Sequence, residues 1–535
     1  MTSVKIQPWA NLASASLLVA GLIGTVSAAL ADTSGVKIDS GVVLGQTVDG
    51  VASFRGVPYA AAPVGALRWA PPMDPSHWST PRKADAFGPI CPQALNPNGA
   101  PNAGGAVGPA SEDCLFLNVW VPKSTQAPDG KAPVMVWLHG GGNTTGAGSL
   151  GAYDGSAFAR DGIVLVTLNY RLGALGFFAH RAITGAAKPD EPLINYGIMD
   201  QIAALKWVKR NIAAFGGDPA NVTLFGESAG GQDTLTLMTA PAAEGLFAKA
   251  IVESGGGWSP PAPLAKREAQ GEALAVKAGA PPNATLEQLR ALPAEAFSAL
   301  PSYEAGPSID GRLLRQSIAQ AFAEGRFAHV PLIIGSNSFE ASLLNTLKIP
   351  PAAALAMAPA SLKAAYAELP DDLSKARAMF TDSVMGAPAR WIAGQAVDGP
   401  SWLYHFSYVV DAQRDHIPGA GHASEIPFVF ASWDHLGALG QGIKPTAGDL
   451  AVTAQIHGCW VTFARNGVPD CPGAPGWPSY GNRHDILMRF DRSATTQTGF
   501  RQPQYSAQQA VVLPTLDLPK VVPEQAPPPP PIKPD

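Results

Sequence analysis

Four short apolar runs punctuate the chain, at residues 134–138 (VMVWL), 163–168 (IVLVTL), 222–225 (VTLF) and 330–334 (VPLII). Each is apolar at consecutive rather than alternate positions. A strand with one face in water alternates, whereas a continuous run suits a strand of a parallel sheet covered on both faces. Between the second and third runs, Ile198, Ile202, Leu205, Val208 and Ile212 recur at the spacing of a helix with one apolar face. Gly216, Gly217, Asp218 and Pro219 follow and mark its end. Strand, helix, strand at this spacing predicts a βαβ unit, and with it a doubly wound α/β sheet. From about 260 to 370 the chain is rich in Ala, Leu, Glu and Pro, and reads as helices with prolines at their boundaries.

The ends of the chain follow other patterns. Lys5 supplies a weakly basic start, residues 14–26 form a short apolar run, and small residues follow at 26–28 (VSA) and 29–31 (ALA). This is the pattern of a secretory signal removed from the mature protein. The other reading, a membrane anchor, needs about 20 apolar residues, more than this run provides. The expected organisation is a signal over 1–31, one catalytic domain over 32–520 and a proline-rich tail over 521–535. The mature chain is then secreted or periplasmic, with no membrane span. The tail, with prolines at 527–531, reads as a polyproline II spacer.

Of 535 residues, 46% are hydrophobic and 15% charged, which places the chain among globular proteins. A net charge of −5 with no basic cluster gives no footprint for nucleic acid. Cys91, Cys114, Cys459 and Cys471 are an even set, which on an exported chain favours two disulfides over buried thiols. Three pairings are available; pairing in sequence order closes two short loops and is preferred.

The candidate chemistry begins at residues 226–230 (GESAG), a G-x-S-x-G pattern. Its context gives it weight: a strand run precedes it directly, and a helical stretch at 232–238 follows. A sharp strand-to-helix turn of this kind lifts the Ser228 hydroxyl clear of the backbone and puts a helix N-terminus behind it. Residues 139–142 (HGGG) follow the first strand run. Glycines there let the backbone approach a substrate carbonyl and point N–H groups at it. Gly141, Gly142 and Ala229 are the expected oxyanion donors. No metal or cofactor is implied.

These residues resemble the type-B carboxylesterase family, which includes the cholinesterases and many bacterial esterases. Further blocks carry the resemblance: 55–60 (RGVPYA), 112–120 (EDCLFLNVW), 169–177 (NYRLGALGF), 215–219 (FGGDP) and 460–467 (WVTFARNG). It runs from about 36 to 490 and implies the α/β-hydrolase fold. It further implies that Glu340, in 335–341 (GSNSFEA), is the triad acid, although Phe339 and Ala341 depart from the family's usual Asp and Gly. His422, in 422–430 (HASEIPFVF), matches the family's base. The order Ser, Glu, His is that of α/β-hydrolases. The resemblance also supports pairing Cys91 with Cys114, while the pairing of Cys459 with Cys471 rests on proximity alone. Glu227 and Glu425 are expected to flank the site as supporting charges.

The expected activity is hydrolysis of a small-molecule carboxylic ester through an acyl-Ser228 intermediate. Amides, thioesters or lactones would use the same groups, and a non-catalytic binding module of cholinesterase type is the third reading; the complete set Ser228, Glu340 and His422 speaks against it. The loop between Cys91 and Cys114 contains no aromatic residue, whereas cholinesterases use a Trp there to hold quaternary ammonium. Choline esters are therefore not expected substrates. Asn143 stands where an aromatic often follows the glycines, which suggests a more polar pocket entrance. Trp258 either lines the acyl side of the pocket or packs in the core.

Overall fold

A computed structural model describes residues 35–519, apart from 124–129, 260–261, 299, 301–304, 397–398, 437–441 and 482–483. The predicted signal and tail lie outside the described residues. Fourteen strands are described: β1 (Gly35–Ile38), β2 (Gly41–Leu44), β3 (Gln46–Val48), β4 (Val51–Pro58), β5 (Arg82–Lys83), β6 (Phe116–Val121), β7 (Ala132–Leu138), β8 (Val164–Leu168), β9 (Gly217–Glu227), β10 (Lys249–Glu253), β11 (Leu332–Asn337), β12 (Ser401–Phe406), β13 (Ile486–Phe490) and β14 (Thr495–Thr498). Eleven of them form one sheet in the order β14-β13-β12-β11-β10-β9-β7-β8-β6-β4-β3. From β8 through β7 and β9 to β13 every neighbouring pair is parallel; β3, β4 and β6 at one edge and β14 at the other run antiparallel. The remaining three, β1, β2 and β5, make a small separate sheet.

The central strands are buried along their whole length, which is why their sequences do not alternate. The period of two survives in the packing. On β7, Val134, Val136 and Leu138 belong to the core on one face of the sheet, and Met135 and Trp137 to the core on the other. The same division separates Leu332 and Ile334 from Ile333 on β11. Helices cover both faces, as in the α/β-hydrolase fold.

The helix anticipated between the second and third runs spans Tyr196–Asn211 and continues as a 3₁₀ turn, Ile212–Phe215. Gly216, at φ 77°, closes it. Gly217, Asp218 and Pro219 do not form a loop; they open β9, which is longer than its apolar segment. The helix after the glycine-flanked serine is Ala229–Thr239 and begins one residue beyond Ser228. Disulfides join Cys91 to Cys114 and Cys459 to Cys471. Among the described residues no helix is long and apolar enough to cross a membrane.

Candidate active site

Strands β7, β9 and β11 each deliver a loop at their carboxyl ends, where open α/β sheets place their ligand crevices. Ser228 follows the last residue of β9, with φ 57° and ψ −120°, a conformation that an L-residue holds only under constraint. Its N–H donates to the Glu253 carbonyl of neighbouring β10 (2.9 Å), and its carbonyl accepts from the Gln232 N–H (2.9 Å). The turn is possible because Gly230 lies against β7: a Cβ there would come within 2.0 Å of the Leu138 carbonyl oxygen.

The glycine loop after β7 approaches from the side. Gly141, at φ 100°, has no room for a Cβ, which would sit 2.2 Å from the Thr145 carbonyl oxygen. Thr144 and Thr145 both donate backbone N–H bonds to the Gly141 carbonyl (3.1 Å each), folding the loop tightly. The amides of Gly141, Gly142 and Ala229 have no hydrogen-bond acceptor among the described residues. His139 at the loop's start stacks on Tyr170, 4.4 Å between ring centres, and the Tyr170 hydroxyl donates to the His139 carbonyl (2.7 Å). Burial pulls the His139 imidazole down to about 4, so it is a neutral part of the scaffold.

His422 Nδ1 lies 2.6 Å from Glu340 Oε2. The other Glu340 oxygen accepts from Ser254 Oγ (2.5 Å) and from the Asn337 N–H (2.7 Å), so a fully buried carboxylate is held by three partners. The His422 loop is pinned to the Glu340 loop along its length. Phe339 N–H donates to the Ala420 carbonyl (2.8 Å), Ala420 N–H to Ser338 Oγ (2.9 Å) and His422 N–H to Ser342 Oγ (2.9 Å). The departures at 339 and 341 fit this frame. Phe339 is used there through its backbone, with its ring under the Arg377 guanidinium, and Ala341 through its N–H to Thr381 Oγ1 (3.1 Å).

The second imidazole nitrogen, Nε2, lies 3.0 Å from Glu227 Oε1. Behind it, Glu425 accepts from the Asn337 amide and Glu253 from Trp460 Nε1 (2.7 Å). Burial, reinforced by the neighbouring carboxylates, raises the Glu227, Glu253 and Glu425 carboxyls. Burial alone would lower His422, but the facing Glu227 and Glu340 carboxylates outweigh it and raise the imidazole above its ordinary value.

Ser228, His422 and Glu227 share one cavity of about 750 Å³ with Gly140, Gly141 and Gly142. Its walls are mostly apolar, built from Leu150, Tyr153, Tyr408, Phe428, Trp433 and Leu436. Ala103, Gly104 and Gly105, from the loop between the first two cysteines, complete the rim. Phe428 comes from the 422–430 segment; the sequence did not point to the other wall residues, because they come from segments with no motif.

One expectation is corrected and one open alternative is decided. Asn143 is not at the pocket entrance: it is 1% exposed and its amide donates to Asp233 inside the protein. Trp258 does not line the cavity; it packs in the core. The blocks that carried the family resemblance are largely structural. Arg171 makes a buried double hydrogen bond to Asp200, Arg68 a partly buried one to Glu112, and Asn118 accepts from the Gly56 N–H (3.0 Å).

Residues 32–357 and 363–508 match the Carboxylesterase family. The chain is 37% identical over 496 residues to the para-nitrobenzyl esterase of Bacillus subtilis, covering 86% of this chain and 96% of that one. It is 36% identical over 490 residues to the fumonisin B1 esterase of Sphingopyxis macrogoltabida, covering 84% and 85%. Among solved structures, a PNB esterase superposes with a TM-score of 0.78 at 33% identity, covering 89% of this chain and 99% of that one. A carboxylesterase of Geobacillus stearothermophilus gives 0.78 at 31% identity, covering 89% and 100%. With matches of this extent to ester-cleaving enzymes across the sheet and its loops, the chain belongs to the carboxylesterase family and is a carboxylic ester hydrolase.

Proposed function

We propose that Ser228, His422 and Glu340 carry out this hydrolysis, with Gly141, Gly142 and Ala229 as the oxyanion donors. The observation that carries the reading is the 2.6 Å contact between His422 Nδ1 and buried Glu340, beside the cavity that also opens onto Ser228. A serine hydroxyl becomes a useful nucleophile only when a neutral imidazole takes its proton. With Nδ1–H donated to Glu340, the lone pair is left on Nε2, the nitrogen that serves as base.

Ser228 Oγ attacks the ester carbonyl carbon and its proton passes to His422 Nε2. The carbonyl oxygen takes up negative charge and is met by the three backbone amides. Collapse breaks the bond to the alcohol oxygen, which leaves with the proton from His422. Water then enters, gives a proton to His422 and attacks the acyl-Ser228 carbonyl; the carboxylic acid departs and Ser228 recovers its proton. Glu340 accepts the Nδ1–H and steadies the imidazolium in both halves. The apolar walls, without a Lys or Arg among the described residues that line the cavity, support an uncharged ester as substrate. The two disulfides support an oxidising compartment for the mature protein, in keeping with export.

The test is initial-rate hydrolysis of p-nitrophenyl esters from acetate to long acyl chains, with Ser228→Ala in parallel. Turnover that disappears in Ser228→Ala establishes the roles. Turnover that persists there, or a folded wild type that cleaves none of the series, overturns them.

A further inference from the structure

Directly after the glycine loop, Asn143 turns inward with its backbone at φ 56°. Its Nδ2 donates to Asp233 Oδ1 (3.1 Å). Asp233 lies one turn into the helix Ala229–Thr239, and its other oxygen accepts from Gln201 Nε2 (2.6 Å), in the middle of the helix Tyr196–Asn211. Asn143 is 1% exposed and the other two are 0% exposed. Asp233 appears in none of the described ion pairs. Burial raises its carboxyl to about 7, against the pull of Gln201 and Asn143.

A carboxyl held only by two amides in the interior opposes folding, and an apolar pair of the same size would pack there more favourably. The arrangement is also incompletely satisfied, since Asn143 Oδ1 and Gln201 Oε1 have no hydrogen-bond partner among the described residues. Its position is informative. The loop that ends in Asn143 carries Gly141 and Gly142; the helix that carries Asp233 starts with Ala229. These are the two separate pieces of backbone whose amides must converge on one oxygen, and an error of about 1 Å in such a site can reduce the rate by about 100-fold.

We propose that Asn143 and Asp233 are positioning residues: their hydrogen bond clamps the glycine loop to the nucleophile helix and sets the geometry of the oxyanion pocket, with Gln201 fixing Asp233 from the far side. The inference rests on the proposed role of the Gly141, Gly142 and Ala229 amides. The clamp acts in the transition state rather than on substrate binding, because the ground-state carbonyl oxygen carries little charge.

The test compares wild type with Asn143→Gly, Asp233→Leu, Asp233→Asn and the double variant Asn143→Gly/Asp233→Leu. Readouts are kcat and KM on a short p-nitrophenyl ester, inhibition by a trifluoromethyl ketone that forms a tetrahedral oxyanion, and thermal melting. Glycine keeps the left-handed backbone at 143 while removing the donor. Asparagine at 233 can still accept from Asn143, and a rotated Gln201 amide can accept from it in turn.

Asn143→Gly and Asp233→Leu are expected to lower kcat by about 10- to 100-fold with KM within about threefold, and to weaken the ketone in proportion to kcat/KM. Asp233→Asn should stay within about threefold of wild type, and the double variant should be no worse than the poorer single one. If Asp233→Leu fails to fold, Asn143→Gly alone decides. Unchanged kcat in Asn143→Gly, or a lowered kcat with undiminished ketone binding, overturns the clamp. Wild type and Ser228→Ala are measured in the same series, so failure of the esterase roles appears in those two proteins and failure of the clamp only in the variants.

Discussion

Glu227 Oε1 lies 3.0 Å from His422 Nε2, the ring nitrogen on the side away from Glu340. The imidazole therefore has a carboxyl at each nitrogen, and only one of them belongs to the proposed triad. Burial alone would lower His422, but the facing Glu227 and Glu340 carboxylates raise it, so the imidazole takes a proton at a higher pH than an ordinary one. A protonated imidazole cannot act as base. The acid limb of kcat/KM is thus expected above the ordinary imidazole value. Removing the Glu227 charge lowers the His422 value, so Glu227→Gln should move that limb to lower pH, by about 1 unit. A pH–rate profile checks this; a limb that stays put or moves upward contradicts it.

Glu340→Gln preserves size but replaces an anion with a neutral group that can present its NH₂ to His422 Nδ1. The imidazole is then free to adopt the wrong tautomer, and kcat should fall by about 10⁴-fold. Stopped assays at several pH values distinguish this from a simple pKa change, since no pH should restore the rate. Full activity at any pH would remove Glu340 from the proposed role.

Ser228 holds a backbone conformation that favours glycine, and its hydroxyl contributes nothing to that strain. Ser228→Ala should consequently be inactive yet as stable as wild type. Ser228→Gly should be inactive and more stable than Ser228→Ala by about 1 kcal/mol. Urea unfolding followed by fluorescence compares the two. Equal midpoints would mean that the elbow stores no strain.

The two disulfides join residues 23 and 12 positions apart and stand in different places. Replacing either pair by serine should destabilise by about 3 kcal/mol in the chain-entropy treatment. Only loss of Cys91–Cys114 should also alter KM, because Ala103, Gly104 and Gly105 of that loop line the cavity. Cys459–Cys471 joins the helix Ala447–Asn466 to the segment after it, away from the cavity lining. Kinetics on both variants at a temperature where each is folded decides the matter, and equal effects on KM would refute the distinction.

The parts of the fold written locally were legible in the sequence. Four of the central strands, β7, β8, β9 and β11, announced themselves because burial on both faces demands apolar residues throughout, as in 134–138 and 163–168, whereas β10 and β12 were not read from the sequence. The elbow at Ser228 and the glycine loop were legible because tight turns restrict residue type at adjacent positions. Glu340 and His422 could be located only through resemblance, since nothing near either residue in the chain says that they meet across 82 positions. Asn143 was misread for the same reason: its burial depends on Asp233, 90 residues away. The small sheet of β1, β2 and β5 gave no signal, as its strands are short and partly exposed.

The Cys91–Cys114 loop forms part of the cavity rim, yet its two ends are tied to each other covalently and the second lies just before β6. Changes of length or composition inside that ring are confined by the cross-link and need not be transmitted to the sheet or to Ser228. The ring is thus an exchangeable cassette, through which the range of admitted esters can be retuned while the reaction machinery stays as it is.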